Sequence, residues 1–306
     1  MQRILSTAVI VGLLTATAAA FAITERLKLT KSPITATKVV RASLSPAAGT
    51  TAAVNLRFRR ADVVTVSVED SDRHTVDTLV AGRPMSRGRH TFTWNGRTGA
   101  GSPAPDGTYR FEVHLAHQRR TILLPNPIAL DTKLPAVLDA GAARPTFSPD
   151  GDHQADTVTI HYKLTEDAHA LVYVNGHRIV KSRSHLTKDK VSWGGMVDGK
   201  VLPQGTYVLS IGAVDLAGNT AVKLQHVVVT LRYIQLLQRR FDGLRPGGTF
   251  HVTVSTDVRR YHWSFGKRQG TSSQRRLKLR TPSDRGRYVL TVTEGGHSDH
   301  AVVFVR

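Results

Sequence analysis

One pattern constrains this 306-residue chain more than any other. The segment from Trp94 to Tyr109 runs Trp-Asn-Gly, a loop, then Pro-Asp-Gly-Thr-Tyr, and the segment from Trp193 to Tyr207 runs Trp-Gly-Gly, a loop, then Pro-Gln-Gly-Thr-Tyr. An aromatic strand end, a Gly-rich loop and a Pro-x-Gly-Thr-Tyr re-entry thus occur twice, about 99 residues apart, an interval that suits one small β domain. The chain reads as a tandem array.

The hydrophobic pattern around both copies has period two. Val54, Leu56 and Phe58 alternate with polar residues, as do Val64, Val66 and Val68, then Tyr109, Phe111, Val113 and Leu115, and in the second copy Val158, Ile160, Tyr162 and Leu164. Such alternation predicts strands with one buried face. From about Ser45 onward no segment shows a 3.6-residue period, so the predicted fold class is all-β, as tandem β-sandwiches. Asn175-Gly176 predicts a two-residue hairpin turn. Pro105-Asp106-Gly107 predicts a turn with positive φ at Gly107. Trp94, Tyr109, Trp193 and Tyr207 fall in phase with the inward-facing residues of their strands; with Trp263 and Tyr288 they are expected to be structural core. The rival role, ligand stacking as in carbohydrate-binding sandwiches, requires them to face outward.

The array divides by pattern. Residues 1–23 contain one uncharged apolar stretch, 4–23, preceded by Arg3. Its length is just enough to span a bilayer, and Ala20-Phe21-Ala22 also fits a small-x-small cleavage site, so it reads as a transmembrane anchor or a signal peptide. Both imply export, and an uncleaved helix would tie the chain to a membrane. Residues 24–43 form a Thr-, Lys- and Ser-rich linker. Residues 44–132 and 133–231 each hold one copy of the repeat, and 232–306 form a third, shortened β-sandwich in which Gly286-Arg287-Tyr288 keeps a trace of the re-entry.

Charge is distributed unevenly along this plan. The whole chain carries +19 at pH 7. Residues 135–231 balance nine basic against nine acidic side chains, whereas 232–306 hold fifteen basic and five acidic ones. The last module is therefore where a polyanion would be attracted. Arg259, Arg260, Lys267, Arg268, Arg275, Arg276, Lys278 and Arg280 are its candidate contacts. Lys278 and Arg280 alternate with Leu277 and Leu279, which places part of the charge on one sheet face. A solubilising surface explains the same residues. An export signal points to an anionic wall polymer, anionic lipid or another envelope protein as partner, and away from nucleic acid. Cysteine is absent, so burial and ladder hydrogen bonds alone must hold each module.

These residues support a family comparison. Trp94-Asn-Gly…Pro105-Asp-Gly-Thr-Tyr109 and Trp193-Gly-Gly…Pro203-Gln-Gly-Thr-Tyr207 resemble the immunoglobulin-like domain of the flagellar hook-capping protein family, a module that recurs in bacterial surface and secreted proteins. Phe147-Ser-Pro-Asp-Gly-Asp152 looks like the entry strand of the same kind of repeat, and Asp215-Leu-Ala-Gly-Asn219 resembles the late turn of many bacterial Ig-like repeats. The resemblance covers about residues 45–231. It implies tandem immunoglobulin-like β-sandwiches in an extracytoplasmic setting, and no hook-cap role.

Candidate chemistry is sparse. Asp150, Asp152, Gln154 and Asp156 place oxygen-bearing side chains at alternate positions, as a hard cation such as Ca²⁺ requires, although a solvated turn in which Asp side chains accept from nearby amides explains them too. No other cofactor is expected. His114 and His117 fall on opposite faces of a strand, and His297 and His300 lie in an expected turn, so neither pair makes a convincing chelate. The sequence contains no Gly-x-Ser-x-Gly, His-Glu-x-x-His or Walker motif. The expectation is a non-enzymatic envelope or surface protein for adhesion, scaffolding or wall association. The alternatives are a binder of an anionic wall polymer or carbohydrate, and an accessory module of an envelope hydrolase.

Overall fold

A computed structural model describes residues 12–21 and 32–306. Residues 12–21 are helical and exposed. The rest of the apolar segment 4–23 lies outside the described residues, and among the described residues no helix is long and apolar enough to cross a membrane. The chain divides into two compact units, Met1–Thr132 and Lys133–Arg306.

The first unit is one all-β sandwich. Ile34–Arg41, Ala52–Phe58 and Gly88–Trp94 pair antiparallel in one sheet. The opposite sheet runs in the order Ser43–Leu44, Ile128–Leu130, Gly107–Leu115, Asp62–Glu69, Thr75–Met85, with Arg120–Leu123 added beside Gly107–Leu115. The entering chain therefore crosses from one sheet to the other between Arg41 and Ser43, and its second half pairs parallel to the closing strand. Val54, Leu56, Val64, Val66, Val68, Phe111 and Val113 fill the space between the sheets, as their period-two spacing requires.

The second unit holds two further sandwiches with the same plan. In the first of these, Val137–Ala142, Val158–Leu164 and Lys188–Trp193 face a sheet ordered Thr146–Phe147, Gln225–Leu231, Gly205–Asp215, Ala168–Val174, His177–Lys181. In the last, Gln235–Leu236, Thr249–Ser255 and Arg276–Arg280 face Arg240–Leu244, His297–Val305, Gly286–Glu294, Tyr261–Phe265, Arg268–Ser272. Each again begins with a strand that changes sheets and ends parallel to the closing strand. The third module thus keeps the topology of the others although its sequence lacks their loop. These are three immunoglobulin-like sandwiches.

The repeated sequence is the lock of this plan. Trp94 is fully buried, and its indole Nε1 donates to Arg97 O at 2.8 Å; Trp193 does the same to Met196 O at 2.9 Å. The Tyr109 hydroxyl donates to Pro105 O and the Tyr207 hydroxyl to Pro203 O, at 2.6 and 2.5 Å. Each pair of rings then meets across the loop, with centroids 4.8 Å apart for Trp94 and Tyr109 and 6.3 Å for Trp193 and Tyr207. The glycine two residues after each Trp is dictated twice over. Gly96 and Gly195 have φ of 77° and 72°, and a Cβ at Gly96 would lie 2.7 Å from Pro46 Cγ, at Gly195 2.8 Å from Leu231 Cδ1 and 3.2 Å from Pro149 Cγ. The Trp-x-Gly spacing is the space left by the entering Leu44-Ser-Pro46 and Phe147-Ser-Pro149 segments.

The third module keeps half of the lock. Tyr288 hydroxyl donates to Asp284 O at 2.9 Å, again four residues back. On the strand corresponding to the Trp-bearing ones, however, the next inward position is Thr281, whose hydroxyl donates to Arg245 O. Trp263 sits instead on Tyr261–Phe265, half-buried and packed over Gly270, where an added Cβ would come within 3.0 Å of the indole. Tyr207 and Tyr288 are half-buried as well, whereas Tyr109 and Trp193 are each 4 % exposed.

Two local expectations meet different outcomes. Asn175 and Gly176 adopt φ of 50° and 81° and join Val174 to His177 as a two-residue hairpin. Gly107 is not among the left-handed residues. It already belongs to the strand, opposite Leu130, and the Asp106 carboxylate fixes the approach by accepting from Thr132 N and Oγ1. The Tyr109 ring lies beside it, an arrangement repeated at Gly205 with Tyr207 and Gly286 with Tyr288.

Trp193→Ala should cost about 3–5 kcal/mol by urea unfolding, because it leaves a cavity and an unfilled loop acceptor. Gly195→Ala should cost about 1–3 kcal/mol through its positive φ and the crowding of the new Cβ against Leu231. A loss below about 1 kcal/mol in both would mean that these contacts do not hold the loop.

Candidate cation-binding loop and basic sheet face

The loop between Phe147 and Val158 is wound by its own backbone. Gly151, His153 and Ala155 take positive φ of 85°, 68° and 51°, and this alternation brings the intervening side chains to one side. Asp156 accepts from Gly151 N at 2.9 Å and His153 N at 3.0 Å; Asp150 accepts from Asp152 N at 3.1 Å and Asp152 from Gln154 N at 2.7 Å. Ser148 hydroxyl donates to Asp150 Oδ2 at 3.1 Å. Asp150, Asp152 and Asp156 each present one carboxylate oxygen, and the three lie within 4.8 Å of one another. Gln154 is exposed, and its side-chain amide donates to Asp152 Oδ2 at 2.9 Å, so it braces that carboxylate. A second trio, Asp70, Asp72 and His74, meets in a hairpin turn of the first unit, where Asp70 Oδ1 accepts from the backbone N of both others.

Two more carboxylates, Glu294 and Asp257, approach this loop from the third sandwich. The second and third sandwiches meet without a spacer: Tyr233 is buried in the core of the second, and the adjacent Ile234 in that of the third. Tyr233 stacks on His297 with centroids 3.4 Å apart. His297 and His300 therefore belong to the strand His297–Val305 and not to a turn, because Gly295 and Gly296, at φ of 51° and 84°, make the reversal. That reversal sets Gly295 against Asp150, where an added Cβ would lie 3.7 Å from Asp150 Cβ.

Glu294 precedes the reversal and is 9 % exposed. Burial, then the adjoining carboxylate of Asp150, pushes it up to about 7. Its Oε2 receives no hydrogen bond, nor does either carboxylate oxygen of Asp257. Burial, and then the charges of Asp150 and Asp152, push Asp257 up to about 6. Asp299, across the same hairpin, shows the contrast. It is also buried, but accepts from Leu236 N at 2.8 Å and pairs with Arg239. The signal for Glu294 was present in the sequence: it shares the inward phase of Leu290 and Val292. Asp257 carried no such signal, since it lies in a loop.

The basic residues do not form one patch. Arg276, Lys278 and Arg280 project from the outer face of Arg276–Arg280, alternating with buried Leu277 and Leu279. Thr253, His251 and Thr249 stand opposite them on the neighbouring strand. The Arg280 guanidinium is held by a 2.8 Å bond from Nε to Gly247 O. Lys267 and Arg268 lie at the hairpin end of the other sheet. Arg259 and Arg260 border a recess with Asp152, His153 and Gln154, next to the acidic loop. Arg275 lines a recess of about 360 Å³ at the joint, with Phe147, Arg232, Tyr233 and Asp257.

Residues 42–118 match the family model of the FlgD Ig-like domain, so the resemblance read from the first Trp-to-Tyr copy holds over that module. FlgD from P. aeruginosa is similar at 24% identity, over 32% of this chain and 78% of that one, with a TM-score of 0.24. The D0-D1 domain of intimin is similar at 12% identity over 65% and 98%, TM-score 0.27. A C-terminal 282-residue fragment of intimin, in complex with the translocated intimin receptor intimin-binding domain, is similar at 10% identity over 69% of each chain, TM-score 0.31. No curated protein matches the sequence.

Asp156→Ala should leave the Gly151 and His153 amides without their acceptor. Hydrogen exchange at those two amides is expected to accelerate, with a stability loss of about 1–3 kcal/mol. Unchanged exchange would mean that the loop is held by other contacts.

Proposed function

We propose that this chain is a non-enzymatic, extracytoplasmic protein that displays tandem immunoglobulin-like modules and associates with the cell envelope through its third module. The reading is supported by the family match of residues 42–118, by the export character of the apolar segment near the N-terminus, and by the repetition of a sandwich module whose loops and faces supply contacts.

The observation that carries it is the exposed face of Arg276–Arg280. Two residues of strand separate successive cations by about 7 Å, so Arg276, Lys278 and Arg280 form a straight row, flanked by Thr249, His251 and Thr253. Arg276–Arg280 is also an edge strand of its sheet. Charge there discourages edge-to-edge pairing with other chains, and the same row presents repeated cation contacts to a linear polyanion. An anionic wall polymer is the partner that this row fits.

Purified full-length protein should be retained by isolated cell-envelope fragments at low salt and released as ionic strength rises past the range where exposed charges are screened. Arg276→Gln with Lys278→Gln should lower retention roughly tenfold, while Lys267→Gln with Arg268→Gln, on the other sheet, should change it little. Absence of retention at low salt, or equal effects of both pairs, would overturn the reading.

A further inference from the structure

The joint between the second and third sandwiches gathers negative charge where a folded protein ordinarily avoids it. Three aspartates from one module have oxygens within 4.8 Å of one another. From the other module comes Glu294, which is 9 % exposed, rests against the Asp150 carboxyl and has an Oε2 without a hydrogen-bond donor. Asp257 adds two more oxygens without donors. A buried acceptor of this kind is costly unless a donor or a cation meets it. The neighbouring Asp299 has its donor in Leu236 N and its cation in Arg239; Glu294 has no cation, and the group that faces it is the carboxyl of Asp150.

The geometry suits a hard divalent ion. Ca²⁺ takes six to eight oxygens at about 2.3–2.6 Å, so any two of its ligands lie no more than about 5 Å apart. The aspartate trio meets that limit as it stands, whereas Glu294, set against Asp150, joins it only by turning its carboxylate toward the loop. Each of the six carboxylate oxygens of the trio accepts one hydrogen bond within the loop, and a carboxylate oxygen keeps a second lone pair that can face an ion. Mg²⁺ demands a stricter octahedron and keeps its water, which suits an adaptable, carboxylate-rich loop less well.

We propose that Asp150, Asp152 and Asp156 of the second sandwich and Glu294 of the third hold one divalent cation of the Ca²⁺ class between them, with Asp257 adding charge at its rim. The ion closes the joint. It supplies the counter-charge that Glu294 lacks, and it ties the loop after Phe147 to the reversal at Gly295 and Gly296, beside the Tyr233–His297 stack. The two modules then move as one body when the ion is bound and are held by the aromatic stack and the direct link Tyr233–Ile234 when it is absent. This inference is independent of the polymer-binding row, which lies on other residues.

The test uses the full chain after EDTA treatment, with Ca²⁺ or Mg²⁺ added alone, read by titration calorimetry and by melting. Ca²⁺ should raise the melting temperature in proportion to the logarithm of its concentration above Kd, and Mg²⁺ should do so more weakly. Glu294→Gln is the decisive variant because its two effects have opposite signs. At pH 8, where Glu294 is ionised in the ion-free protein, it removes a buried negative charge set against Asp150, so in EDTA it should melt above the unsubstituted protein; it removes a ligand, so its Ca²⁺ affinity should fall at least tenfold. Asp152→Asn should lower affinity without the gain in EDTA. No Ca²⁺-dependent melting up to millimolar concentrations would overturn the site, and would mean that Glu294 and Asp150 share a proton instead. Unchanged Ca²⁺ affinity in Glu294→Gln would overturn the bridge and leave the ion to the loop.

Discussion

Each of the first two sandwiches depends on an indole that is buried and still satisfied. A Trp at a strand end gains more from burial than any other residue, but its N–H must find an acceptor inside the fold. In both modules the acceptor is the carbonyl three residues ahead, Arg97 or Met196, which forces the chain to turn back at once. That turn passes against the entering strand, and the close approach leaves room only for Gly96 or Gly195. The backbone then closes the loop through Ala104 N to Gly96 O and Leu202 N to Gly195 O, and a Tyr hydroxyl secures the return. Entry strand, loop and re-entry strand are fixed by one set of contacts.

The third module shows which part of this arrangement the topology needs. It lacks the Trp and the long loop, with Thr281 in the inward position, yet it keeps the sheet-changing first strand, the strand order and the Tyr-to-carbonyl bond. Sheet order is enforced by two facing apolar surfaces, and Phe250, Val252, Leu277, Leu279, Leu290 and Val292 supply these without an indole. The Trp-centred lock therefore stabilises the plan and does not create it.

The third module carries two charged features. The row Arg276, Lys278 and Arg280 stands on an outer strand face, while carboxylates collect at the joint with the second module, bordered there by Arg259, Arg260 and Arg275. The separation keeps the two features chemically distinct: one row is open to solvent and screened by salt, and the other group is partly withdrawn from water, where each unmatched charge costs more. A polyanion suits the first and a compact cation the second.

How much of this was legible in the sequence follows from the range of each interaction. Period-two alternation and the repeated Trp-to-Tyr segment determined the strands, the array and the immunoglobulin-like plan, because sheet faces and turns are set by residues a few positions apart. The Asp150 to Asp156 loop was visible for the same reason. The sequence could show that Glu294 falls in an inward phase, but not that it faces Asp150. It could place basic residues in the last module, but not divide them between two sheets. Those outcomes depend on which loops and faces meet when sandwiches stack, and contacts between residues more than a hundred positions apart are decided by tertiary packing alone.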